Sequence, residues 1–219
     1  MPSTLAWIVD GRAFVAGSTM PDGFSTVLSA HERARLQRFL KPQRAREFLL
    51  GRLLMRYALM HATGCSLDAI AVTERPGASP LVAIGGRLAD GVQLPAASIS
   101  HSRGWIACAL GKLCQVGVDI EVPAPQRDLA ALAELAFTTG ERSWLAAQTW
   151  PEQAFYQLWC GKEALYKYCS NAGLDETTTH HLHHHHSDAY HLCICSPVAP
   201  QQHHHQQLEL ADLLKLSSS

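Results

Sequence analysis

Gly117-Val118-Asp119-Ile120-Glu121 sets two carboxylates two residues apart in a run with strand character. Alternate residues of a strand share a face, so Asp119 and Glu121 aim the same way. Neighbouring carboxylates repel unless something neutralises them. Mg2+ meets that need, because it takes oxygen ligands and commonly sits on one or two carboxylates together with substrate phosphates. A solvent-facing strand of alternating polarity gives the same pattern, and an Asp-x-Glu triplet alone does not decide between the two.

Further along lies Trp159-Cys-Gly-Lys162-Glu163-Ala-Leu-Tyr-Lys167. On a helix, Phe155, Leu158, Leu165 and Cys169 define a buried stripe, and Trp159, Glu163 and Lys167 climb one flank of it at four-residue steps. Glu163 and Lys167 read either as a surface ion pair or as the edge of a cleft. In the cleft reading the carboxylate is a metal ligand or general base and the ammonium faces a phosphate. Lys162 falls within the apolar stripe, where it needs an anionic partner. A third group, Ser98-Ile99-Ser100-His101-Ser102, ends a strand and can hold a phosphate, although a polar turn has the same composition. There is no GxSxG elbow, no Walker A loop and no GxGxxG fingerprint in the sequence.

The elements that carry these groups follow from pattern. Leu5 to Val9 is a strand. Ser29 with Glu32 forms a capping box for a helix that stops near Lys41-Pro42, and a second helix runs from about Gln43 to Ala62 with Gly64 as its stop. Ala69 to Thr73 is strand-like, Arg75 to Pro80 is a turn, and Ala97 to His101, Trp105 to Leu110 and Gln115 to Val122 are successive strands. Helices follow over Arg127 to Ala136, from a Thr138/Glu141 capping box, and from Pro151 to about Gly173 with Thr149 and Glu152 as a further box. Tyr190 to Cys195 is another strand. The order predicts an α+β chain of two roughly similar halves.

The 219 residues are 47% hydrophobic and 17% charged, with net charge −1, which excludes wholesale disorder and a globally basic nucleic-acid binder. No apolar run is long enough to span a membrane, and Met1 to Gly17 lacks the basic start of a secretory signal. Seven scattered cysteines without a CxxC pair argue for a reducing, cytoplasmic setting rather than a disulfide scaffold. Between Arg33 and Arg56 lie eight basic residues and one acid, Glu47, so this stretch carries +7. That concentration suits an anionic ligand or an acidic partner, or else a solvated helix face.

Taken together, S-H-S, GVDIE and W-x-x-K-E-A-x-x-K, in that order, with the basic helix Arg44 to Arg56 before them and Phe137 and Glu141 between the last two, resemble the Sfp-type 4′-phosphopantetheinyl transferases of the bacterial, acyl-carrier-protein-modifying kind. The likeness covers roughly residues 33 to 170. It implies a pseudo-dimeric α+β fold with the active site between the halves. Residues 1–112 would form the N-terminal half with the basic helix, and residues 113–219 the half with the metal-binding strand and catalytic helix. It implies an enzyme that moves the phosphopantetheine arm of coenzyme A to a carrier-protein serine. Asp119, Glu121 and Glu163 would then bind Mg2+, Glu163 would take the serine proton, and Lys167 would neutralise the diphosphate. His101 with Ser100 would hold the 3′-phosphate, and Arg46, Arg52 and Lys162 would complete the coenzyme A contacts. The implied partner is an acyl carrier protein or a carrier domain of a fatty-acid, polyketide or nonribosomal peptide synthase, met by a monomer, with no nucleic acid and no membrane.

Two positions depart from the family pattern. Glu47 stands where many members have an arginine that reaches the 3′-phosphate, which leaves Arg46 for that role. Gly77-Ala-Ser-Pro80 replaces a Gly-Lys-Pro, so its lysine is missing and Arg52 or Arg75 would compensate. The segment from Thr177 holds ten of thirteen histidines. It reads as a solvated hairpin and tail of biased composition, with Zn2+ or Ni2+ binding as the other reading. The competing functions are therefore a histidine-rich metal-binding or buffering protein and a carrier-protein-binding module that has lost catalysis.

Overall fold

A computed structural model describes residues 1–17, 27–75, 78–88 and 94–218. Its strands are β1 (Ser3–Asp10), β2 (Ile70–Arg75), β3 (Ala78–Ile84), β4 (Arg87–Leu88), β5 (Ala96–Ser102), β6 (Trp105–Lys112), β7 (Gly117–Glu121), β8 (His181–His186), β9 (His191–Ser196) and β10 (His203–Leu208). Its helices are α1 (Arg12–Ala16), α2 (Ala30–Leu36), α3 (Pro42–Thr63), α4 (Leu129–Ala136), α5 (Thr139–Ala146), α6 (Pro151–Ala172) and α7 (Leu210–Leu214). The expected turn over Arg75 to Pro80 includes Pro76 and Gly77, which lie outside the described residues.

Three sheets form, in the orders β10-β1-β6-β5, β2-β3-β4 and β7-β9-β8. The α3 helix buries Leu49, Leu50, Leu53 and Leu54 against Trp7, Val9, Ile106 and Cys108 of the first sheet. The α6 helix lays Cys160, Ala164 and Tyr168 on Cys193 and Cys195 of the third. The sheet faces turned away from these helices meet each other, with Ile8, Trp105 and Ala107 packing on Val118, Ile120 and Leu192. The result is four layers, helix, sheet, sheet and helix, which is the α+β arrangement of two comparable units.

Sequence signals account for most of the elements. The capping boxes Ser29/Glu32 and Thr138/Glu141 both form. The β5–β6 hairpin turns on Arg103 (φ 48) and Gly104 (φ 87), the two positive φ angles a type I′ turn requires. The α6 helix differs from expectation at its start: Trp150 is the N-cap and contributes no side-chain cap, so the Thr149/Glu152 box does not form. Its buried face also differs. Phe155 and Cys169 of the expected stripe are buried, but Leu158 and Leu165 are only half-buried, and the face centres on Tyr156, Cys160, Ala164 and Tyr168, with Lys162 exposed outside it. The leucines suggested a stripe slightly rotated from the true one. Small residues occupy the closest approach, where a Cβ on Gly117 would collide with the Ala164 carbonyl oxygen.

Two other expectations change. Of the eight basic residues between Arg33 and Arg56, Arg46, Arg52 and Arg56 are buried, so the positive surface is smaller than the count suggests. Glu32, fully buried, joins α2 to α3 through Arg56 (2.6 Å) and Arg52 (3.3 Å). The histidine-rich segment is no tail. His181–His186 form β8, and His203–Leu208 form β10 in parallel pairing with β1. Leu208 and Leu213 then enter the core beneath α3. All seven cysteines are free. Among the described residues no helix is long and apolar enough to cross a membrane.

Candidate active site

The first and third sheets meet along β5 and β7, which share no main-chain ladder. Serine hydroxyls join them instead. Ser98, Ser100 and Ser102 alternate along β5 and all point to the β7 side. The Ser98 hydroxyl accepts from the Val118 amide at 3.1 Å. That of Ser100 donates to Asp119 Oδ1 at 2.8 Å. That of Ser102 donates to Glu121 Oε2 at 2.8 Å and accepts from the Val122 amide at 3.1 Å.

Each carboxylate also has a cation on the oxygen its serine holds. Lys167 Nζ donates to Asp119 Oδ1 at 2.7 Å, to Ser100 Oγ at 3.0 Å and to the Val118 carbonyl at 3.1 Å. Arg127 donates to Glu121 Oε2 at 3.0 Å. The other Asp119 oxygen, Oδ2, is buried and accepts no hydrogen bond. The neighbouring Cys160 thiol is directed to the His191 carbonyl at 3.6 Å. A buried carboxylate oxygen without a donor demands a partner that binds oxygen.

Glu163, on α6, faces this pair and makes no hydrogen bond among the described residues. Burial raises its pKa, the charges of Asp119 and Glu121 push the same way, and Lys167 opposes them. Asp119, Glu121 and Glu163 lie near enough for their charges to act on one another, and an all-oxygen donor set with an orphaned Oδ2 suits the chemistry of a hard divalent cation such as Mg2+. With the side chains as they stand, no group of three or more His, Cys, Asp or Glu residues among those described is placed to hold a metal ion. Lys167 and Arg127 fill the electrostatic role on Asp119 and Glu121.

The pleat separates Ser100 from His101, which the sequence reading placed on one phosphate. His101 points to the α3 side, 3.3 Å from Arg44 and 3.7 Å from Glu47. Burial lowers its pKa, against the pull of Glu47 and with the help of Arg44 and Lys167. Glu47 accepts from Arg44 at 2.8 Å and from the Gly104 amide at 3.1 Å, so this departure from the family pattern ties α3 to the β5–β6 turn.

Arg46 and Arg52 do not join the group. Arg46 is buried and donates to the Val15 carbonyl, and Arg52 lies between Glu32 and the Phe48 ring. Both sit on the packed side of α3, where sequence alone gave them no partner. Lys162 pairs with Glu141 at 2.9 Å beside Phe137. For Ser98 and Ser102, which sequence reasoning grouped as part of a phosphate site, it missed the contacts to β7, and it gave Arg44 and Arg127 no individual role. The period-two serines were the available signal for the first two.

Residues 115–214 match the model of the 4′-phosphopantetheinyl transferase superfamily. The chain is 30% identical over 145 residues to the 4′-phosphopantetheinyl transferase HetI of Nostoc sp., covering 65% of this chain and 60% of that one. It is 29% identical over 148 residues to the 4′-phosphopantetheinyl transferase Sfp of Bacillus subtilis, covering 66% and 61%. A shorter match of 73 residues, at 40% identity, links it to the 4′-phosphopantetheinyl transferase AcpT of Salmonella typhimurium, over 32% of this chain and 38% of that one. The chain therefore spans about 60% of the length of HetI and Sfp. Residues 115–214, which carry Asp119, Glu121, Glu163 and Lys167, belong to the 4′-phosphopantetheinyl transferase superfamily, and the likeness to its curated members extends over about two thirds of the chain.

Proposed function

We propose that the protein transfers the 4′-phosphopantetheine arm of coenzyme A to a serine hydroxyl of an apo acyl or peptidyl carrier protein, with Mg2+, releasing 3′,5′-ADP. The observation that carries this reading is the buried, unpartnered Asp119 Oδ2 in a cluster with Glu121 and Glu163. Asp119, Glu121 and Glu163 would hold the ion, which when bound would neutralise the diphosphate and polarise its phosphorus. In the transfer, the carrier serine oxygen forms a bond to the phosphorus bearing the pantetheine arm. The bridging P–O bond to ADP breaks, and the serine proton passes to Glu163. A carboxylate with a raised pKa suits that base role. Lys167, fixed by three acceptors, offsets charge growing on the leaving ADP.

His101, joined by the exposed Arg44, is the group for the 3′-phosphate on this reading. Arg46 and Arg52 support it indirectly by bracing α3. Lys162 can exchange Glu141 for a phosphate oxygen, its side chain being 42% exposed. The exposed Arg33, Arg35, Arg38 and Lys41 give an acidic carrier a complementary surface. The protein acts as a monomer, with residues 1–112 and 113–219 as the two halves and the β10–α7 segment crossing back to the first. Its free thiols suit the reducing cytoplasm.

The test is intact-protein mass spectrometry of apo acyl, polyketide and peptide carrier proteins incubated with the protein, coenzyme A and Mg2+, with EDTA as control. The expected result is a gain of one phosphopantetheine arm, lost with EDTA and lost in a folded Glu163→Gln variant. No gain on any carrier together with no coenzyme A binding overturns the reading.

A further inference from the structure

The two carboxylates of β7 are held by one repeated device. On Asp119 a serine hydroxyl and a cation share Oδ1, leaving Oδ2 bare. On Glu121 a serine hydroxyl and a cation share Oε2. The serines are two residues apart on β5 and the carboxylates two residues apart on β7, so one strand repeat sets both spacings. The sequence pattern grouped Ser100 and Ser102 about His101 as a phosphate-holding set, whereas both hydroxyls lie on the β7 carboxylates.

Resting on the transferase reading, we propose that Ser102 is a positioning residue for the metal site. By holding Glu121 Oε2 it would leave Oε1 available to the ion, as Ser100 on Oδ1 leaves Oδ2 of Asp119, and the pair of hydroxyls would keep the two carboxylates in place. Ser102 has the burial this needs, at 7% exposure. It is also anchored from behind, because its oxygen accepts the Val122 amide while its proton goes to Glu121. Arg127 alone would be a poorer guide. Its side chain is 31% exposed and reaches Glu121 from a loop, whereas Ser102 projects from a strand paired along its length with β6. Hydrogen-bonded partners behind metal ligands are worth about 10- to 100-fold in metal affinity where they have been removed.

Ser98 supplies the control. It joins the same seam through the Val118 amide and touches no carboxylate. Mg2+ affinity of the full chain with saturating coenzyme A is measured by titration calorimetry for the wild type, Ser102→Ala, Ser102→Thr and Ser98→Ala, with thermal midpoints recorded alongside. The expected result is a Ser102→Ala dissociation constant for Mg2+ raised about 10-fold or more, recovery in Ser102→Thr, and an unchanged constant in Ser98→Ala despite a lowered midpoint. Ser102→Cys, similar in size but a weak donor, carries the same comparison if Ser102→Ala does not fold. A Ser102→Ala constant within twofold of wild type overturns the proposal and leaves the transferase reading standing. A wild type that binds coenzyme A but no Mg2+ overturns both.

Discussion

Lys167→Met tests whether the ammonium is the counter-charge of Asp119 in the metal-free protein. The pair is 2.7 Å apart, with side-chain exposures of 23% for Lys167 and 7% for Asp119. At an effective dielectric of about 20, unit charges at that distance attract by about 6 kcal/mol. Desolvation of both groups consumes much of it, and removing one partner of a buried pair typically costs 3–5 kcal/mol. Partial exposure of the lysine and the remaining Ser100 hydrogen bond put the expected loss at about 3 kcal/mol. Methionine keeps the stem, so packing changes little. Asp119→Asn in the same background removes the stranded charge, and the double variant should recover about 2 kcal/mol of the loss. Urea unfolding followed by tryptophan fluorescence in EDTA gives the four stabilities of the cycle. Saturating Mg2+ should then stabilise Lys167→Met more than the wild type, because the ion takes over the neutralising role. A coupling energy under about 0.5 kcal/mol would refute the pairing.

Gly117→Ala should abolish soluble folding or lower stability by about 4 kcal/mol, since the new Cβ would collide with main-chain atoms of Ala164 and Tyr168. Soluble expression and urea unfolding check it, and a near-neutral effect would mean that α6 does not lie so close to β7. Stability should also fall as pH drops from 6.5 to 4. His203 lies against the tilted ring of His183, bonds Thr4, Ser196 and the Val198 carbonyl, and has its pKa pushed down to about 4 chiefly by burial. Between those pH values the unfolded chain binds a proton that folded His203 does not, so the unfolded state gains. Discounted for a half-buried ring, its share is about 2 kcal/mol, and burial of His183 and His185 adds in the same direction. His203→Gln should flatten the stability–pH profile over this window, and an unaltered slope would refute the assignment.

What was legible in the sequence depended on how far apart the cooperating residues lie along the chain. Asp119 and Glu121 share a strand face, and Glu163 and Lys167 share a helix flank, so local periods of two and four sufficed to find them. Their holders come from farther away: Ser100 is 19 residues from Asp119, and Lys167 is 48. No periodicity links such positions, which is why Ser100 was grouped with its neighbour His101 although a strand turns them to opposite faces. The same limit explains the arginines of α3. Arg52 and Arg56 look like surface charge until Glu32, 24 residues before Arg56, is found between them.

The histidine strands show the converse case, in which composition hid an element. Residues His181 to His186 carry no hydrophobic alternation, yet they pair along their whole length with β9, whose six residues are all buried. Neutral imidazole is planar and accepts or donates as its neighbours require. His183 meets His203 at 3.4 Å between ring centroids and His185 meets His205 at 4.3 Å, so the edge of the third sheet closes on the edge of the first. That contact joins the third sheet to the first on strands other than the serine seam. The seam itself has no backbone ladder and is joined by hydroxyls. The serine side can therefore be specialised for the carboxylates because β10, paired with β1 and continued by Leu213 into the core, supplies a main-chain connection of the C-terminal segment to the first sheet.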